Sequence, residues 1–421
     1  MILSPKANPP KLIEWGEISS DKSLSHRGVI FSFLAQGECE IEHFLRSQDT
    51  LATLQIAKNL GARVIEDSQK ILITPPKQIA PKAQIPSQNS GTAMRLYAGL
   101  LSGVRGRYSF SGDESLSLRP MQRIKTPLEL MGAKMSSSYA PFELVGSENL
   151  RGIKYTSPIS SAQVKSAFIL ASLFAKTPSE FSEPFLSRDH SERFLRFLNA
   201  PIEIEKERIK ISPLSHPLKN FSIQIPNDPS SLIFFVVACL IADNQEMSFG
   251  NVLLNPTRIE AFEVLKRMGA RLEYKITQEG FEPIGEVRVS SSRLVGVEVS
   301  EKISWLIDEL PALSIAFACA SGESKVSGAK ELRSKECDRI KAVVENLKTL
   351  GIQAYELDDG FRVVGGEFIE GRVPSFGDHR IAMSFSLVGV RKRVEIVESE
   401  CVDISFPRFY EFLAKIVEVE R

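Results

Sequence analysis

An internal repeat of about 70 residues is the feature that most constrains the fold of this chain. Short polar clusters precede apolar, helix-like segments at six positions, 67 to 80 residues apart: Ser23, Ser90, Ser160, Asp228, Asp308 and Gly377. A second series of helix-start signals runs in parallel with the first, at Asp49, Arg119, Asp189, Pro256, Glu336 and Pro407. The chain is therefore predicted to contain six copies of one unit, each with two helices.

In five of the six units, the second predicted helix ends in a similar short sequence motif. A Gly or Asn after an apolar helix is typical of a helix C-cap, and the alternating run that follows it predicts a strand. Units of this length exceed the roughly 20–50 residues of most solenoid repeats and favour α/β folding. These helix-end motifs are Leu60-Gly61-Ala62, Met131-Gly132-Ala133, Leu198-Asn199-Ala200, Met268-Gly269-Ala270 and Leu350-Gly351-Ile352.

Six such units fill the 421 residues as three plus three. The division is expected near Asn227 and Asp228, where a strand-like run ends at Pro226. Two similar halves would result, and a cleft between halves is a common place for a ligand.

Composition limits which binding partners and which cellular compartment we expect for this chain. The 52 Lys and Arg residues balance 52 Asp and Glu residues, whereas chains that bind nucleic acid or anionic membranes usually carry a basic excess. The longest apolar run, 232–242, is shorter than the roughly 20 residues that cross a bilayer. No apolar signal segment stands at the N-terminus. We therefore expect a cytoplasmic protein without nucleic-acid or membrane partners.

Common cofactor and metal motifs are missing from the sequence. The five cysteines are scattered and never spaced as C-x-x-C, which argues against a disulfide framework or a structural zinc site. There is no H-E-x-x-H, no Gly-x-Gly and no Gly-Lys dipeptide. Zinc hydrolase, dinucleotide and Walker A chemistry are therefore not expected, and we predict no metal and no cofactor.

The helix starts carry more charge than capping requires. Cations at a helix N-terminus oppose the helix dipole, so they indicate another partner. Arg and Lys that converge on one cleft suit phosphate or carboxylate ligands, and nearby acids suit general acid–base chemistry. The cations are Lys22, Arg27, Arg119, Arg188, Lys335, Arg339 and Arg380, and the acids are Asp308 and Glu336.

Each of these residues taken alone also fits a structural role. Three serines suit helix N-caps, and two neighbouring Asp and Arg pairs equally suit local ion pairs. The functional interpretation depends on charged residues recurring at equivalent points of several repeats, where caps alone would suffice. The residues concerned are Ser23, Ser90, Ser161, Asp338 with Arg339, and Asp378 with Arg380.

Eight motifs stand in one order along essentially the whole chain. They are Lys22-Ser23-x-Ser25-x-Arg27, Asn89-Ser90-Gly91-Thr92-Ala93-Met94-Arg95, Gly112-Asp113-Glu114-Ser115 through Arg119-Pro120-Met121, Ser161-Ala162-Gln163, Ser187-Arg188-Asp189-His190, Asp308-Glu309-Leu310-Pro311, Lys335-Glu336-x-Asp338-Arg339 and Gly377-Asp378-His379-Arg380. In this order they resemble the enolpyruvyl transferases, and among these the members that act on shikimate 3-phosphate.

The resemblance implies an α/β fold with two similar domains and an active-site cleft between them. Each domain would consist of three βαβαββ units in an inverse α/β barrel, which agrees with the six-fold internal repeat. The predicted domains are residues 1–15 plus 228–421, which form a discontinuous domain, and residues 16–227.

The resemblance also implies the reaction. The enolpyruvyl (1-carboxyvinyl) group of phosphoenolpyruvate would pass to the 5-hydroxyl of shikimate 3-phosphate through a tetrahedral intermediate, with release of phosphate. This is a step of the shikimate pathway to chorismate and the aromatic amino acids. The two substrates would be the only partners of a monomeric enzyme.

Site residues follow from the same resemblance. Asp308 would take the proton of the 5-hydroxyl, Glu336 would protonate the phosphoenolpyruvate methylene, and Lys22, the third catalytic residue, would touch both substrates. Shikimate 3-phosphate would be bound by Lys22, Ser23, Arg27, Ser161, Gln163, Arg188, Asp308 and Lys335. Phosphoenolpyruvate would be bound by Lys22, Gly91, Arg119, Gln163, Arg339 and Arg380.

Three positions depart from the family pattern. Leu96 replaces a Pro of many members, which leaves sensitivity to the family inhibitor glyphosate open, and Ala162 replaces a second Ser of some members. Ile404 stands where several members carry a Lys that contacts phosphoenolpyruvate. That cation is either missing or supplied from nearby, by Arg391, Lys392 or Arg408.

Three other functions compete with this one. The sibling enzymes that act on UDP-N-acetylglucosamine pair their early Lys with Asn and use a Cys in the first half, whereas here Ser23 follows Lys22 and no Cys lies between Cys39 and Cys239. A non-catalytic repeat scaffold would need only interchangeable polar residues at its helix starts. A folded but inactive family member is the third alternative, because of Ile404.

Overall fold

The computed structural model describes residues 1–206 and 208–420. The chain separates into two compact units, of which unit 1 comprises Met1–Ser19 with Pro226–Arg421 and unit 2 comprises Ser20–Ile225. The domain limits predicted after residues 15 and 227 lie a few residues from these points.

The described residues form 24 strands. In chain order they are β1 (Ile2–Pro5), β2 (Leu12–Trp15), β3 (Cys39–Glu42), β4 (Arg63–Glu66), β5 (Lys70–Thr74), β6 (Lys82–Pro86), β7 (Gly106–Ser111), β8 (Lys134–Met135), β9 (Phe142–Gly146), β10 (Lys154–Thr156), β11 (Ser179–Ser182), β12 (Ile202–Glu205), β13 (Arg208–Ile211), β14 (Ser222–Gln224), β15 (Glu246–Leu253), β16 (Arg271–Gln278), β17 (Ile284–Ser290), β18 (Glu298–Val299), β19 (Glu323–Val326), β20 (Gln353–Leu357), β21 (Gly360–Val364), β22 (Gly371–Pro374), β23 (Val394–Val397) and β24 (Val417–Glu420).

The same residues form 14 α-helices and four 3₁₀ segments. The helices are α1 (Lys22–Phe31), α2 (Gln48–Asn59), α3 (Gly91–Ser102), α4 (Glu114–Ser117), α5 (Gln122–Met131), α6 (Ala162–Leu173), α7 (His190–Phe197), α8 (Pro229–Ile241), α9 (Glu260–Arg267), α10 (Ile303–Leu306), α11 (Leu310–Ala318), α12 (Arg339–Thr349), α13 (His379–Ser386) and α14 (Phe409–Leu413). The 3₁₀ segments are Ser32–Leu34, Lys330–Ser334, Leu387–Val390 and Ser399–Ile404. Every one of the twelve predicted helix starts lies within four residues of the first residue of a helix.

Six four-stranded sheets, each built on one plan, confirm the repeat within the described residues. In each sheet the first two strands of the repeat are parallel, and the fourth strand lies antiparallel between the second and the third. The sheets of unit 2 are β6-β7-β9-β8, β10-β11-β13-β12 and β14-β3-β5-β4, and those of unit 1 are β16-β17-β15-β2, β18-β19-β21-β20 and β22-β23-β1-β24. This is the predicted βαβαββ unit, three times in each half.

Three of these sheets are completed by strands distant in sequence. The strand β14 pairs in parallel with β3, which begins the repeat at the other end of unit 2. In unit 1, β2 pairs in parallel with β15, and β1 lies between β23 and β24. Unit 1 is therefore discontinuous, because its N-terminal strands belong to sheets whose other strands come after residue 225.

The first helix of each repeat is buried on nearly all sides. In α8, 12 of the 13 residues are buried, and in α11 every residue is buried. A helix that is apolar all round belongs in an interior. The second helices are amphipathic, and the strands alternate between buried and exposed residues, as in Ile284–Ser290. Within each unit the sheets therefore cover a core of helices.

One glycine permits close packing between α3 and α6 in unit 2. A Cβ atom at Gly99 of α3 would lie 2.3 Å from the carbonyl oxygen of Ala167 in α6. Only glycine lets two backbones approach this closely without a clash.

The predicted C-caps are confirmed by the backbone. Gly61, Gly132, Gly269 and Gly351 have φ angles of 97°, 116°, 91° and 84°, and Asn199 has a φ angle of 56°. The amide of each of these residues bonds to a carbonyl three residues earlier, and the next amide bonds to one five residues earlier. This is the Schellman arrangement, which favours Gly, and less often Asn, at the left-handed position.

The two segments of the chain that connect unit 1 with unit 2 are bonded to each other at Asn227. Its side-chain Nδ2 donates to the carbonyls of Gly16 and Gly250, at 2.7 and 2.8 Å, and its Oδ1 accepts from the amide of Ile18 at 3.0 Å. The amide of Asp228 donates to the carbonyl of Ser19 at 2.8 Å. These bonds hold residues 16–19 in unit 1, which is why the observed limit comes after Ser19 and not after residue 15.

All five cysteines are free thiols, and Cys39 and Cys239 are buried. In the part of the chain that the structure describes, no helix is long and apolar enough to cross a bilayer.

Candidate active site

The start of α1 carries three predicted site residues of unit 2. Lys22 is the first helical residue, and its Nζ lies 2.9 Å from Oδ2 of Asp49 at the start of α2. Asp21, not Ser23, caps the helix, because its side chain accepts from the amide of Leu24 at 2.7 Å. The expectation that Ser23 is an N-cap is therefore wrong, since Ser23 lies within the first turn.

Arg27 is buried one turn further along α1. Its Nε donates to Oγ of Ser191 at 2.8 Å, one terminal nitrogen donates to Oγ of Ser166 at 3.0 Å, and the other donates to the carbonyl of Ser23 at 3.0 Å. These bonds fix the guanidinium plane where α1, α6 and α7 meet.

His26 lies between the two cations on α1 and is buried. Its Nδ1 is 2.6 Å from Oγ1 of Thr53. Burial lowers the pKa of His26 well below its usual value, and the charges of Lys22 and Arg27 lower it further. The ring is therefore neutral, and it adds no charge to the cations beside it.

A second group of predicted residues joins the starts of α3 and α6. Oε1 of Gln163 accepts from the guanidinium of Arg95 at 2.6 Å, and Nε2 of Gln163 donates to Oγ1 of Thr92 at 3.0 Å. A Cβ atom at Gly91 would lie 2.5 Å from a terminal nitrogen of Arg95, so a side chain here would displace that guanidinium. Ser161 occupies the N-cap position of α6, and Ser90 caps α3 with a bond to the amide of Ala93.

Arg119 lies between α4 and α5, where an amide oxygen and a hydroxyl accept from its guanidinium. One terminal nitrogen donates to Oδ1 of Asn89 at 2.9 Å and to Oγ of Ser115 at 3.1 Å. Nδ2 of Asn89 in turn donates to Oδ2 of Asp113 at 2.7 Å. The Asn89 to Arg95 motif and the Gly112 to Arg119 motif thus form one hydrogen-bonded group.

The remaining predicted cation of unit 2, Arg188, is in the loop that leads into α7. This loop is tied to a buried Lys165, whose Nζ donates to the carbonyl of Ser187 at 3.2 Å. The side chain of Asp189 pairs with Arg193 one turn into the helix, at 2.8 Å.

Unit 1 contains a second cluster, centred on Arg339. This guanidinium is only 1% exposed and faces three carboxylates. Its Nε lies 2.7 Å from Oδ2 of Asp378, and its terminal nitrogens lie 2.7 Å from Oε2 of Glu336 and 3.4 Å from Oδ1 of Asp308. Burial by itself would lower the pKa of Arg339, but the three carboxylates outweigh it and raise the pKa above its usual value.

Arg380 extends this cluster toward Asp308. A terminal nitrogen of Arg380 donates to the backbone carbonyl of Asp308 at 2.7 Å, and its Nε lies 3.9 Å from Oδ1 of the same residue. Lys335 comes directly before Glu336 in the chain, and its Nζ bonds to Oε1 of Glu331 at 3.2 Å. Three helix starts, those of α11, α12 and α13, therefore bring Asp308, Glu336, Arg339 and Arg380 together.

Both local ion pairs considered from the sequence are wrong. Asp338 caps α12 through the amide of Lys341 and pairs with Arg333 at 2.7 Å, so Arg339 pairs with Asp378 instead. The Asp378 carboxylate accepts from the backbone amide of Arg380, not from its guanidinium. A carboxylate at the N-cap faces its own helix backbone, and so its neighbour's side chain points elsewhere.

Sequence reasoning did not single out Asp378, Asp49 and Asn89 as site residues. Each is buried or half-buried beside a predicted cation and orients it. The available signal was their position at the same helix starts. Their partners are 27 to 39 residues away, so spacing alone could not identify the pairs.

Ile404 is the last residue of the 3₁₀ segment Ser399–Ile404. The three cations considered as substitutes for the Lys of other family members are paired elsewhere or exposed. Arg391 pairs with Asp243 at 3.2 Å, and Arg408 pairs with Glu411 at 2.6 Å. Lys392 is exposed. Among residues 1–206 and 208–420, no group of His, Cys, Asp and Glu side chains is arranged to hold a metal ion.

Known proteins are similar to this chain in sequence and in fold. The family model described as EPSP synthase (3-phosphoshikimate 1-carboxyvinyltransferase) matches residues 15–413. The 3-phosphoshikimate 1-carboxyvinyltransferase of a Nitratiruptor species is 50% identical over 414 residues, which cover 96% of each chain. That of Campylobacter jejuni subsp. jejuni serotype O:6 is 49% identical over 407 residues, 95% of each chain.

Solved structures agree with the sequence relatives. An EPSP synthase from Acinetobacter baumannii superposes with a TM-score of 0.86 at 35% identity, over 100% of this chain and 99% of its own. With a family model matching nearly the whole length and relatives at about half identity, the chain belongs to the EPSP synthase family.

Proposed function

We propose how the predicted site residues of unit 2 and the Arg339 cluster of unit 1 act in the reaction of this family. The chain transfers the enolpyruvyl group of phosphoenolpyruvate to the 5-hydroxyl of shikimate 3-phosphate and releases phosphate, a step of the shikimate pathway. The resemblance found in the sequence is thereby confirmed. The role of each residue is the part that we propose.

Shikimate 3-phosphate is assigned mainly to unit 2. Lys22, Ser23 and Arg27 of α1 would bind it together with Ser161 and Gln163 at the start of α6, and Arg188 would bind its phosphate. Lys335 and Asp308 of unit 1 would complete the set. The fixed guanidinium plane of Arg27 supports this assignment, because a bidentate clasp of a carboxylate needs an oriented donor pair.

Phosphoenolpyruvate is assigned to Lys22, Gly91, Arg119, Gln163, Arg339 and Arg380. The absence of a side chain at Gly91 leaves room for the Arg95 guanidinium beside the α3 start, and the N-terminus of a helix favours an anion. Phosphoenolpyruvate carries several negative charges, so preorganised cations would offset them without reorganising during the reaction.

The acids of the unit 1 cluster suit the two proton transfers. Asp308 would accept the proton of the 5-hydroxyl, since a neutral alcohol is a weak nucleophile. Glu336 bonds to Arg339 in this structure, and an incoming anion would compete for that guanidinium. A carboxylate that loses a cationic partner binds a proton more readily, as the donor to the methylene must. Such transfers contribute typically 10²–10⁴-fold to a rate.

The shared contact of Arg339 with Asp308 and Glu336 carries the proposal, because it brings both proposed acid–base groups to one guanidinium. The test is phosphate release from a mixture of shikimate 3-phosphate and phosphoenolpyruvate, with UDP-N-acetylglucosamine as the alternative acceptor. We expect release with the first acceptor only. Release with UDP-N-acetylglucosamine instead would support the sibling reaction, and no release with either would support an inactive family member.

We also propose that the enzyme works in the cytoplasm as a monomer, without a membrane or nucleic-acid partner. The even balance of 52 cations and 52 anions supports the last part, because it gives no net field that would draw the chain to an anionic surface.

A further inference from the structure

A buried charged cluster that the proposed chemistry does not use lies between α6 and α7 in unit 2. Nζ of Lys165 is 2.8 Å from Oε1 of Glu183 and 2.7 Å from Oε1 of Glu192, and all three side chains are at most 2% exposed. Taking ions out of water is costly, and apolar residues of similar size often stabilise a fold equally well. Fold stability alone therefore does not account for these three residues.

The cluster is one of two cross-links between the same pair of helices. Lys165 bonds to Glu192, and the adjacent Ser166 bonds to the adjacent Ser191, with 2.6 Å between the hydroxyl oxygens. Ser166 donates its hydroxyl hydrogen to the carbonyl of Ala162, so it accepts from Ser191. Two consecutive positions on each helix are therefore held together, and α7 cannot shift against α6 without breaking both bonds.

These serines are the partners that orient Arg27. Ser191 accepts from Nε of Arg27 at 2.8 Å, and Ser166 accepts from a terminal nitrogen at 3.0 Å. With one donated bond and two accepted bonds, the Ser166 hydroxyl reaches the full capacity of its oxygen. The guanidinium plane of Arg27 is thus set by the registry of α6 and α7.

The same cluster holds the residue before Arg188. Nζ of Lys165 donates to the carbonyl of Ser187 at 3.2 Å, while Oε1 of Glu183 accepts from the amide of Ser187 at 2.8 Å and from its hydroxyl at 3.0 Å. The backbone on both sides of Ser187 is therefore tied to buried charges.

We propose that Lys165, Ser166, Glu183, Ser191 and Glu192 are positioning residues that hold Arg27 and Arg188 at the separation of the two anionic groups of one substrate. The inference rests on the proposed function and deepens it. Two cations held on one rigid frame select a ligand that carries both a carboxylate and a phosphate. A ligand with only one of these groups engages one of the two cations.

The first experiment removes the hydroxyls that orient Arg27. Binding of shikimate 3-phosphate and of shikimate, which lacks the phosphate, is measured by calorimetry without phosphoenolpyruvate, and steady-state kinetics follow. For Ser166→Ala combined with Ser191→Ala, we expect the Kd and KM for shikimate 3-phosphate to rise about tenfold, as for lost bonds to a charged group. The KM for phosphoenolpyruvate should change less than about twofold by the same reasoning. Ser166→Thr, with Ser191 unchanged, keeps both hydroxyls and should bind shikimate 3-phosphate with wild-type affinity.

The second experiment replaces the charges by neutral groups of similar size. In Lys165→Met combined with Glu183→Gln and Glu192→Gln, we expect cooperative unfolding near the wild-type midpoint and weaker binding of shikimate 3-phosphate. The preference for shikimate 3-phosphate over shikimate should also shrink, because Arg188 is no longer held. Lys154→Met is the matched control, since it removes an exposed ion pair with Glu180, at 3.0 Å, from the same unit.

Wild-type affinity for shikimate 3-phosphate in both multiple variants would overturn the proposal. An equal loss for shikimate 3-phosphate and phosphoenolpyruvate, with a lowered unfolding midpoint, would also overturn it and leave a structural role. If the charge-neutral variant does not fold, the serine variants and the Thr rescue decide. A wild-type protein that binds shikimate 3-phosphate but releases no phosphate would contradict the proposed function and not the positioning.

Discussion

At the scale of single residues, the cations of the proposed site are already paired in the structure. Arg339 faces three carboxylates, Lys22 faces Asp49, and Arg119 is held by Asn89. Partners that hold a cation in place spare the site part of the reorganisation that catalysis would otherwise require. This pairing also shows how a chain of zero formal net charge can concentrate cations locally, because acids are distributed beside them.

The proposed proton donor gives a sharp prediction at this scale. Glu336→Gln keeps the shape and a bond to Arg339 but cannot transfer a proton. We expect kcat to fall by about 10²–10⁴-fold, the usual contribution of a positioned acid. Shikimate 3-phosphate should still raise the midpoint of thermal unfolding, because its proposed partners are unchanged.

The matched control for this variant is Glu345→Gln on the same helix. Glu345 is exposed and lies 3.7 Å from Lys341, so its loss should leave kcat unchanged. Wild-type turnover in Glu336→Gln, measured as phosphate release, would remove Glu336 from the proposed mechanism.

At the scale of elements, the helix termini are determined locally and the helix contacts are not. The Gly and Asn C-caps follow from left-handed φ angles that few other residues adopt without strain. The contact between α3 and α6 instead depends on one missing Cβ atom at Gly99, and no local pattern marks it. This contact joins the helices that begin with Gly91 and Ala162.

Gly99→Ala should therefore destabilise unit 2. The new Cβ would lie 2.3 Å from the carbonyl oxygen of Ala167, so the two helices must move apart. Overpacking of this kind costs about 1–3 kcal/mol of unfolding free energy. Chemical denaturation measures it.

Gly37→Ala is the control for this change. A Cβ atom at Gly37 has no neighbour closer than 3.9 Å and Gly37 lies in the same unit. Equal unfolding free energies for the two variants would contradict the importance of the α3 and α6 contact.

At the scale of the whole molecule, the two units differ in how the chain builds them. Unit 2 is one continuous segment, Ser20–Ile225, whereas unit 1 needs Met1–Ser19 as well as the segment after Ile225. The strand β1 is an inner strand, so without it β24 loses the strand with which it pairs in the described part of the chain.

Expressed alone, the two segments should behave differently. Residues 20–225 retain all twelve strands of three complete sheets, so we expect cooperative unfolding and weak binding of shikimate 3-phosphate. Residues 226–421 lack β1 and β2 and leave strand edges open, and exposed edges promote aggregation. Circular dichroism and light scattering test both fragments. A soluble, cooperatively folded fragment 226–421 would show that the N-terminal strands are dispensable.

Much of the fold could be predicted from the sequence because its signals are local. The helix starts and the C-caps depend on bonds that span three to five residues, and all twelve starts lie within four residues of a helix. The family motifs are also short segments, and the family match and fold agree with them. The roles of Lys22, Asp308, Glu336 and the other site residues stay predictions.

By itself, then, the sequence determined the repeat, the positions of twelve of the 14 helices in the described residues, all but the short α4 and α10, and the family. Only the tertiary structure decided which carboxylate meets which guanidinium, as when Asp378 pairs with Arg339 and leaves Asp338 to Arg333. It also decided that β1, β2 and β14 complete distant sheets, and that Lys165 bonds to Glu192 beneath Arg27. The physical reason is range: capping is settled within one helical turn, whereas ion pairs and strand pairs depend on packing between segments far apart in the chain.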